Sequence, residues 1–517
     1  MPYLIVDNSH VITYTDVLIE ETGFIQLINS STLFTVNSPV TLRANATNYA
    51  KLLVCGSCTL SGSSNIVKET YFAAGAANTN MASPDFNDGK NGRWYSIGMP
   101  MPGVAMNSFD GGSPAFFSSA TPGPIARWDA NTGNYVYPTN LLTDNFIAGQ
   151  GYVIYMGENQ HGIITRDLST QNLISLTMDV ANPSATISLG YTNSPLLTNI
   201  FGSNTDGWNL VVNPCLAPLN LQGTSTVNAD ATAYIYNPTT GNFTTFNFSD
   251  PSPFFIAPLQ AFWVRATTTG GSISVLPANQ STSANPAQAK PQIQMEHAWL
   301  KLVRQDGSED LLKIYFRQEA TDGYENTYDS EKLTGDPTRI GLFSTASGKP
   351  TAVDSRSPVT GHKQIPVYVY CGSFSVLTIS IESLNLPSGY KAWLEDHITN
   401  QMVEIENGPY TFYQSFIGNH HRFTLHIAES MIGVNEQVKS YDSQVWTSGT
   451  NLHILLSATT NSGDFSLFDM SGKCIYTKKF EGIAGQHLTF DLSHLRSGVY
   501  VVRTRINGLE KSIKFIR

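Results

Sequence analysis

The sequence predicts an all-β, multidomain chain: a short solenoid-like segment first, then β-sandwich or jelly-roll modules, then a small terminal β-domain. Three observations predict it. Charged residues are only 14% of the 517, against about 25% in ordinary soluble domains. Turn formers take their place, with 41 glycines and 26 prolines. Few segments hold the Leu, Glu, Lys and Ala that propagate a helix, whereas short apolar runs with period-two alternation recur along the chain. A hydrophobic content of 41% is ample for packed cores, and the length suits about three or four domains.

Residues 1–65 carry apolar runs at Val11-Ile12, Val17-Leu18-Ile19, Phe24–Leu27, Leu33–Val36, Val40–Leu42 and Leu52–Val54. Intervals of about six to ten residues suit the rungs of a β-solenoid or a tight meander. Cys55 and Cys58 form a Cys-Gly-Ser-Cys unit at the end of this segment. No second pair or nearby His completes a zinc site, and no helix follows as a redox motif requires. A disulfide or two free thiols in a turn is therefore expected.

Residues 66–160 and 161–278 read as two copies of one β-module. Gly92–Pro100 resembles Gly207–Pro214, Ala126–Tyr135 resembles Ala233–Phe243, and Phe146–Ile154 resembles Phe255–Val264. All three matches are displaced by about 110 residues, in one order. The middle block of each copy reads as an aromatic hairpin around an Asn/Pro-Thr-Gly-Asn turn. Trp128, Tyr135, Tyr236, Phe243 and Trp263 are candidate carbohydrate-facing aromatics, because ring faces match the apolar faces of pyranoses. Alternating large aromatics also serve as sandwich core, and that reading stands beside the first.

A polar, proline-containing linker is expected at 279–291, and a complete sandwich or jelly roll at 292–429. Within the latter, Asp322, Asp329 and Glu331 lie on a Gly-containing acidic loop. Carboxylates so spaced are candidate calcium ligands, although no EF-hand pattern is present and a solvated loop is the default. Adjacent His420 and His421 would point to opposite faces of a strand and cannot readily share a metal. No nucleophile elbow, P-loop, HExxH or dinucleotide fingerprint appears, so the chain is expected not to be an enzyme and to need no cofactor. The net charge is −10 without a basic cluster, which disfavours nucleic acid as a partner. The apolar runs are too short for a transmembrane helix.

Residues 434–517 read as one small all-β domain. Gly498–Arg503 and Lys511–Ile516 alternate on either side of Asn507-Gly508, the dipeptide suited to a two-residue hairpin. Upstream, Phe465–Asp469 reaches a turn at Met470-Ser471-Gly472-Lys473. The order Phe-Asp-Met-Ser-Gly-Lys, then Ser-Gly-Val-Tyr-Val-Val-Arg, then a basic-aliphatic end resembles the C-terminal sorting domain of Bacteroidetes type IX secretion substrates. Val445–Leu452 stands where many members carry Pro-Asn-Pro. The resemblance implies an immunoglobulin-like sandwich read by the type IX machinery, with Gly498, Val499, Tyr500, Val502, Lys511 and Lys514 in the signal region. It also implies later removal of this domain and attachment of the remainder to surface lipopolysaccharide. The module phrases Gly207–Pro214 and Ile256–Val264 are similar to those of large Bacteroidetes surface proteins.

The expectation is a secreted or outer-membrane-associated cell-surface protein, adhesin-like and non-catalytic, contacting glycans or other surface proteins. The alternative is the accessory carbohydrate-binding tail of a secreted hydrolase. Met1–Asp7 has neither the basic start nor the apolar run of an export signal, so a truncated start is expected.

Overall fold

The computed structural model describes the strands of the first 71 residues. It further describes residues 93–100, 103–106, 125–156, 173–178, 186–193, 197–200, 202, 204–237, 242–275, 279–281, 295–335, 338–399, 401–429, 443–448, 450–456, 460–482, 486–506 and 509–516. Among them there is no α-helix. Cys55, Cys58 and most of the expected linker lie outside the described residues. Contacts group the chain into two units. The first holds Met1–His297, Leu312–Asp336 and Phe343–Pro358; the second holds Ala298–Leu311, Pro337–Leu342 and Val359–Arg517.

In the first unit the opening strands pair in parallel, which a meander cannot do and a solenoid must. Tyr3–Val6, Phe24–Leu27 and Lys51–Val54 form one sheet. Ile12–Tyr14, Leu33–Val36 and Thr59–Ser61 form a second, and Val17–Ile19, Val40–Leu42 and Ile66–Tyr71 a third. Successive strands therefore step around three faces, and every third strand stacks on its predecessor. Ile19, Ile25, Val40, Leu42 and Leu52 fill the interior. Leu173–Met178 runs antiparallel along Ile66–Tyr71, and Leu52 N–H donates to the Leu216 carbonyl at 3.1 Å.

Two four-stranded antiparallel sheets follow, and their strands come in corresponding order. The first runs Arg93–Gly98, Gly151–Met156, Ile125–Asp129, Asn134–Val136; the second runs Trp208–Val212, Ala261–Arg265, Thr232–Asn237, Asn242–Asn247. The sheets meet closely. A Cβ on Gly151 would lie 2.3 Å from Leu210 Cγ and 2.8 Å from its carbonyl oxygen, so only glycine permits this approach. Polar groups trapped at the junctions find partners, as burial requires. The Asn213 amide donates to the carbonyls of Ala217, Ile256 and Ala257, and its oxygen accepts from Cys215 N–H. Gln260 Oε1 accepts from Ala257 N–H at 2.9 Å, the loop-satisfying role its place between turn and strand suggests.

Strands between residues 296 and 428 belong to one large sheet, and side chains at 313–331 bond the second module. Asp250 takes Lys313 Nζ at 3.0 Å and Tyr315 Oη at 2.6 Å. Thr232 bonds Ser330 at 2.8 Å, and the Asn247 amide donates to the Asp329 carbonyl. Arg265 joins Asp230 at 2.9 Å and Glu331 at 3.4 Å. Buried ions of this kind cost several kcal/mol each unless paired, so the pairings fix which surfaces meet.

The second unit carries long antiparallel strands. Lys363–Cys371 pairs Gly418–Ala428, which pairs Lys391–Asp396 and through it Gln401–Glu404; Ser375–Asn385 pairs Tyr410–Gln414. Beyond them two sheets face each other. Gln444–Ser448, Asn451–Leu455 and His487–Asp491 form one; Cys474–Gly482, Thr460–Asp469, Val499–Ile506 and Leu509–Ile516 form the other. Between them lies a core that includes Leu452, Ile454, Phe465, Leu467, Leu492 and Val502.

Candidate functional site

The terminal hairpin pairs in continuous register from Val499 opposite Ile516 to Ile506 opposite Leu509. Two residues, Asn507 and Gly508, therefore join the strands, although the turn itself lies outside the described residues. Alternation divides the strand. Tyr500, Val502, Thr504 and Ile506 are buried; Val499 and Val501 are half-buried; Arg503 and Arg505 are exposed. The Tyr500 hydroxyl donates to the Arg496 carbonyl at 2.7 Å, pinning the loop that enters the strand. A Cβ on Gly498 would come no nearer than 3.6 Å to Tyr500, an ordinary contact, so space does not demand glycine there. Lys514 is exposed; the side chain of Lys511 lies outside the described residues. Upstream, the Asp469 carboxylate accepts the N–H of Ser471 at 2.9 Å and of Lys473 at 3.0 Å, and the Ser471 hydroxyl at 2.6 Å. These bonds close the turn and hold the carboxyl below its usual range, the serine hydroxyl contributing most.

The aromatic candidates are dispersed. Trp128 and Trp263 are 2% and 3% exposed and pack edge to face with centroids 6.0 Å apart. Neither offers a ring face to a sugar, which corrects the glycan-facing expectation for both. Their residue type suits a module junction as well as a binding platform, and the junction claims them. Tyr236 and Phe243 are half-buried against each other at 5.5 Å. Tyr135 is 39% exposed, and its neighbour Tyr137 is 60% exposed.

The acidic candidates do not converge either. Asp322 accepts from the Ser357 N–H and hydroxyl. Asp329 is buried and accepts from the N–H groups of Ser355 and Glu325, each at 2.6 Å; burial pushes its carboxyl up to about 7. Glu331 binds Arg265 and the Asn199 amide. With each carboxylate committed to separate partners, calcium's six to eight oxygens are not assembled. No group of three or more metal-ligating side chains occurs among the described residues.

Two histidine pairs went unread in the sequence. His453 Nδ1 and His487 Nε2 lie 3.1 Å apart, with the Tyr413 ring 6.0 and 6.3 Å from them. His362 Nε2 meets His426 Nδ1 at 2.8 Å, and His426 Nε2 meets Glu395 at 2.9 Å. Both pairs depend on register between distant strands, for which no local signal exists.

Comparison with known families places names on two stretches. Residues 221–427 match a domain of unknown function, DUF8693. Residues 448–517 match a secretion system C-terminal sorting domain. No curated protein matches the chain. No helix among the described residues is long and apolar enough to cross a membrane. The hairpin residues, the two facing sheets that they complete and the match over 448–517 identify the chain as a type IX secretion substrate, secreted or at the cell surface, with its sorting domain at residues 448–517.

Proposed function

We propose that the residues before the sorting domain are a non-catalytic, adhesin-like passenger: two copies of one β-module and the strands bonded to them, carried to the cell surface as a rigid stalk. The observation that supports this reading is how the modules' chemistry-bearing groups are used. Trp128, Asp230, Asp250, Arg265 and Glu331 are all spent on holding module to module and module to the 312–358 strands. A stalk that presents surface far from the membrane requires such locked junctions. After translocation the sorting domain is removed and the passenger is held on surface lipopolysaccharide.

The test is a pair of strains. A fluorescent reporter fused to residues 434–517 behind a periplasmic export signal reaches the surface of a type IX-competent host. Deletion of residues 66–278 from the full chain preserves display but lowers adhesion of cells to host or bacterial surfaces. Reproducible turnover in a hydrolase screen, abolished by one carboxylate substitution, would sink the non-catalytic reading. A glycan-binding role rests on one specific observation, the exposure of Tyr135 and Tyr137 on the first module's hairpin. It requires glycan-array binding that disappears in Tyr137→Ala.

A further inference from the structure

The outward face of the terminal four-stranded sheet is divided by register into two unlike halves. One lateral row sets Lys479, Asp464, Arg505 and Glu510 side by side. Its charges alternate, and Arg505 is bonded to Glu510, so the row neutralises itself. The next row is Thr477, Ser466, Arg503 and Ser512; beyond it lie Phe468, Val501 and Lys514. Here no carboxylate stands in the rows themselves, and Arg503 feels Glu510 only from the neighbouring row. The Arg503 guanidinium lies over the Phe468 ring at 4.9 Å, the Ser466 and Thr477 hydroxyls bond each other at 2.9 Å, and neither Arg503 nor Lys514 makes an ion pair among the described residues. The result is a small apolar strip, Phe468 and Val501, flanked by two exposed cations.

Charge partition along the chain points the same way. Residues 448–517 hold nine Lys and Arg against five Asp and Glu, in a chain whose net charge is −10. Strand alternation also separates two duties within the signal region. Tyr500 and Val502 point into the core and can only serve folding, whereas Val501, Arg503 and Lys514 are available to a partner.

We propose that Phe468, Val501, Arg503 and Lys514 form the docking surface of the sorting domain, and that its occupant is an acidic, partly apolar protein surface of the export machinery. The proposal rests on the export reading above and names the face through which it works. An aromatic-backed guanidinium is suited to a carboxylate, because the ring desolvates one side and leaves the donors aimed outward. Like charges brought together at an interface cost several kcal/mol, so reversing the two cations should abolish docking without touching the core.

The experiment compares surface display of the full chain, expressed behind a periplasmic export signal in a type IX-competent host, across five forms. Arg503→Glu with Lys514→Glu should lower display by about tenfold or more. Arg503→Lys with Lys514→Arg should retain it. The swap Arg505→Glu with Glu510→Arg, which alters the self-neutralised row, should leave it unchanged. The fifth form, residues 1–433, separates this proposal from the one beneath it. If 1–433 is displayed normally, the export reading fails. If 1–433 is retained but the double reversal is displayed like the parent, the export reading stands and this face is not the docking surface. The purified double variant should melt within a few degrees of the parent; a collapse of folding moves the test to Arg503→Gln with Lys514→Gln, which must show the same loss. Finally, if the parent binds lipopolysaccharide vesicles and the double variant does not, while both crosslink equally to machinery proteins through a photoreactive residue at Ser512, the occupant is lipid phosphate and the proposal of a protein partner is overturned.

Discussion

The indole Nε1–H of Trp128 donates to the backbone carbonyl of Trp208 across 2.6 Å, joining the first module to a strand eighty positions later. The same Trp128 ring packs on Trp263, and Trp208 packs on Tyr234 at 5.4 Å. Replacing Trp128 with Phe keeps most of the buried area but removes this buried hydrogen bond. It should cost about 1–3 kcal/mol, and Trp128→Ala about 3–5 kcal/mol. Urea unfolding followed by tryptophan fluorescence reads both. A Trp128→Ala protein as stable as the parent would show that the junction is not held there.

Gly207 tests the second module's own sheet through the backbone. It has φ +77°, and a Cβ there would sit 2.1 Å from the Ala266 carbonyl oxygen. That oxygen belongs to a residue whose own N–H donates back to Gly207 at 2.8 Å, so it cannot retreat without losing the bond. Gly207→Ala should destabilise the first unit by at least about 1–3 kcal/mol from strain alone, seen as an earlier unfolding midpoint.

In the second unit, Arg422 is 1% exposed and gives Asp396 a bond at 2.8 Å, the Tyr413 carbonyl one at 2.6 Å and Gln414 one at 3.2 Å. The Tyr410 hydroxyl donates to the same Asp396 oxygen at 2.9 Å; burial first, then the Asp396 charge, raises the tyrosine above its usual range. Arg422→Ala leaves a buried carboxylate uncompensated and should cost about 3–5 kcal/mol. The double variant Arg422→Leu with Asp396→Leu should recover much of that loss. Chemical denaturation of the three proteins decides it.

The His453–His487 pair predicts a pH dependence. Burial lowers both imidazoles, and His487 lowers His453 further. Facing them are the Tyr413 ring and the Thr489 hydroxyl, with Arg304, Asp306 and Asn451 lining the same cavity of about 480 Å³. Asp306 is already committed to Arg304 at 2.5 Å, which holds its carboxyl well below the usual range. Above pH 6.5, the imidazole's ordinary value, folded and unfolded forms are both neutral and stability is complete. As pH falls, the unfolded chain takes protons first, and stability declines until the folded pKa is passed. The second unit's melting temperature should therefore drop between pH 7 and 5, and His487→Gln should flatten that slope.

Much of this architecture was legible because its causes are local. Alternation gave the terminal hairpin, and an Asp followed by Ser-Gly-Lys gave its neighbouring turn. Apolar spacing near the start gave stacked rungs, whose period is a property of one coil. The displaced phrases around Trp94 and Trp208 lead to two sheets with one strand order. What stayed hidden depends on register between remote strands. Whether Trp128 faces solvent or Trp208 is decided by the approach of two modules, and the sequence carries no mark of it. The separate commitments of Asp322, Asp329 and Glu331 are equally invisible, since carboxylate spacing is the same whether a cation or a backbone N–H takes the charge. The outward face of the sorting sheet lies between these cases. Which residues alternate outward on each strand could be read, but the side-by-side rows could not.

The antiparallel strand Leu173–Met178 along Ile66–Tyr71, with Leu216 bonded to Leu52, has a consequence for crowding. A parallel coil ends in open hydrogen-bonding edges, and an identical coil is the best template to continue them. Two of the three faces here end against segments of the same molecule, both paired in the opposing direction. At that end, a neighbouring copy on a cell envelope would find two of the three edges already taken.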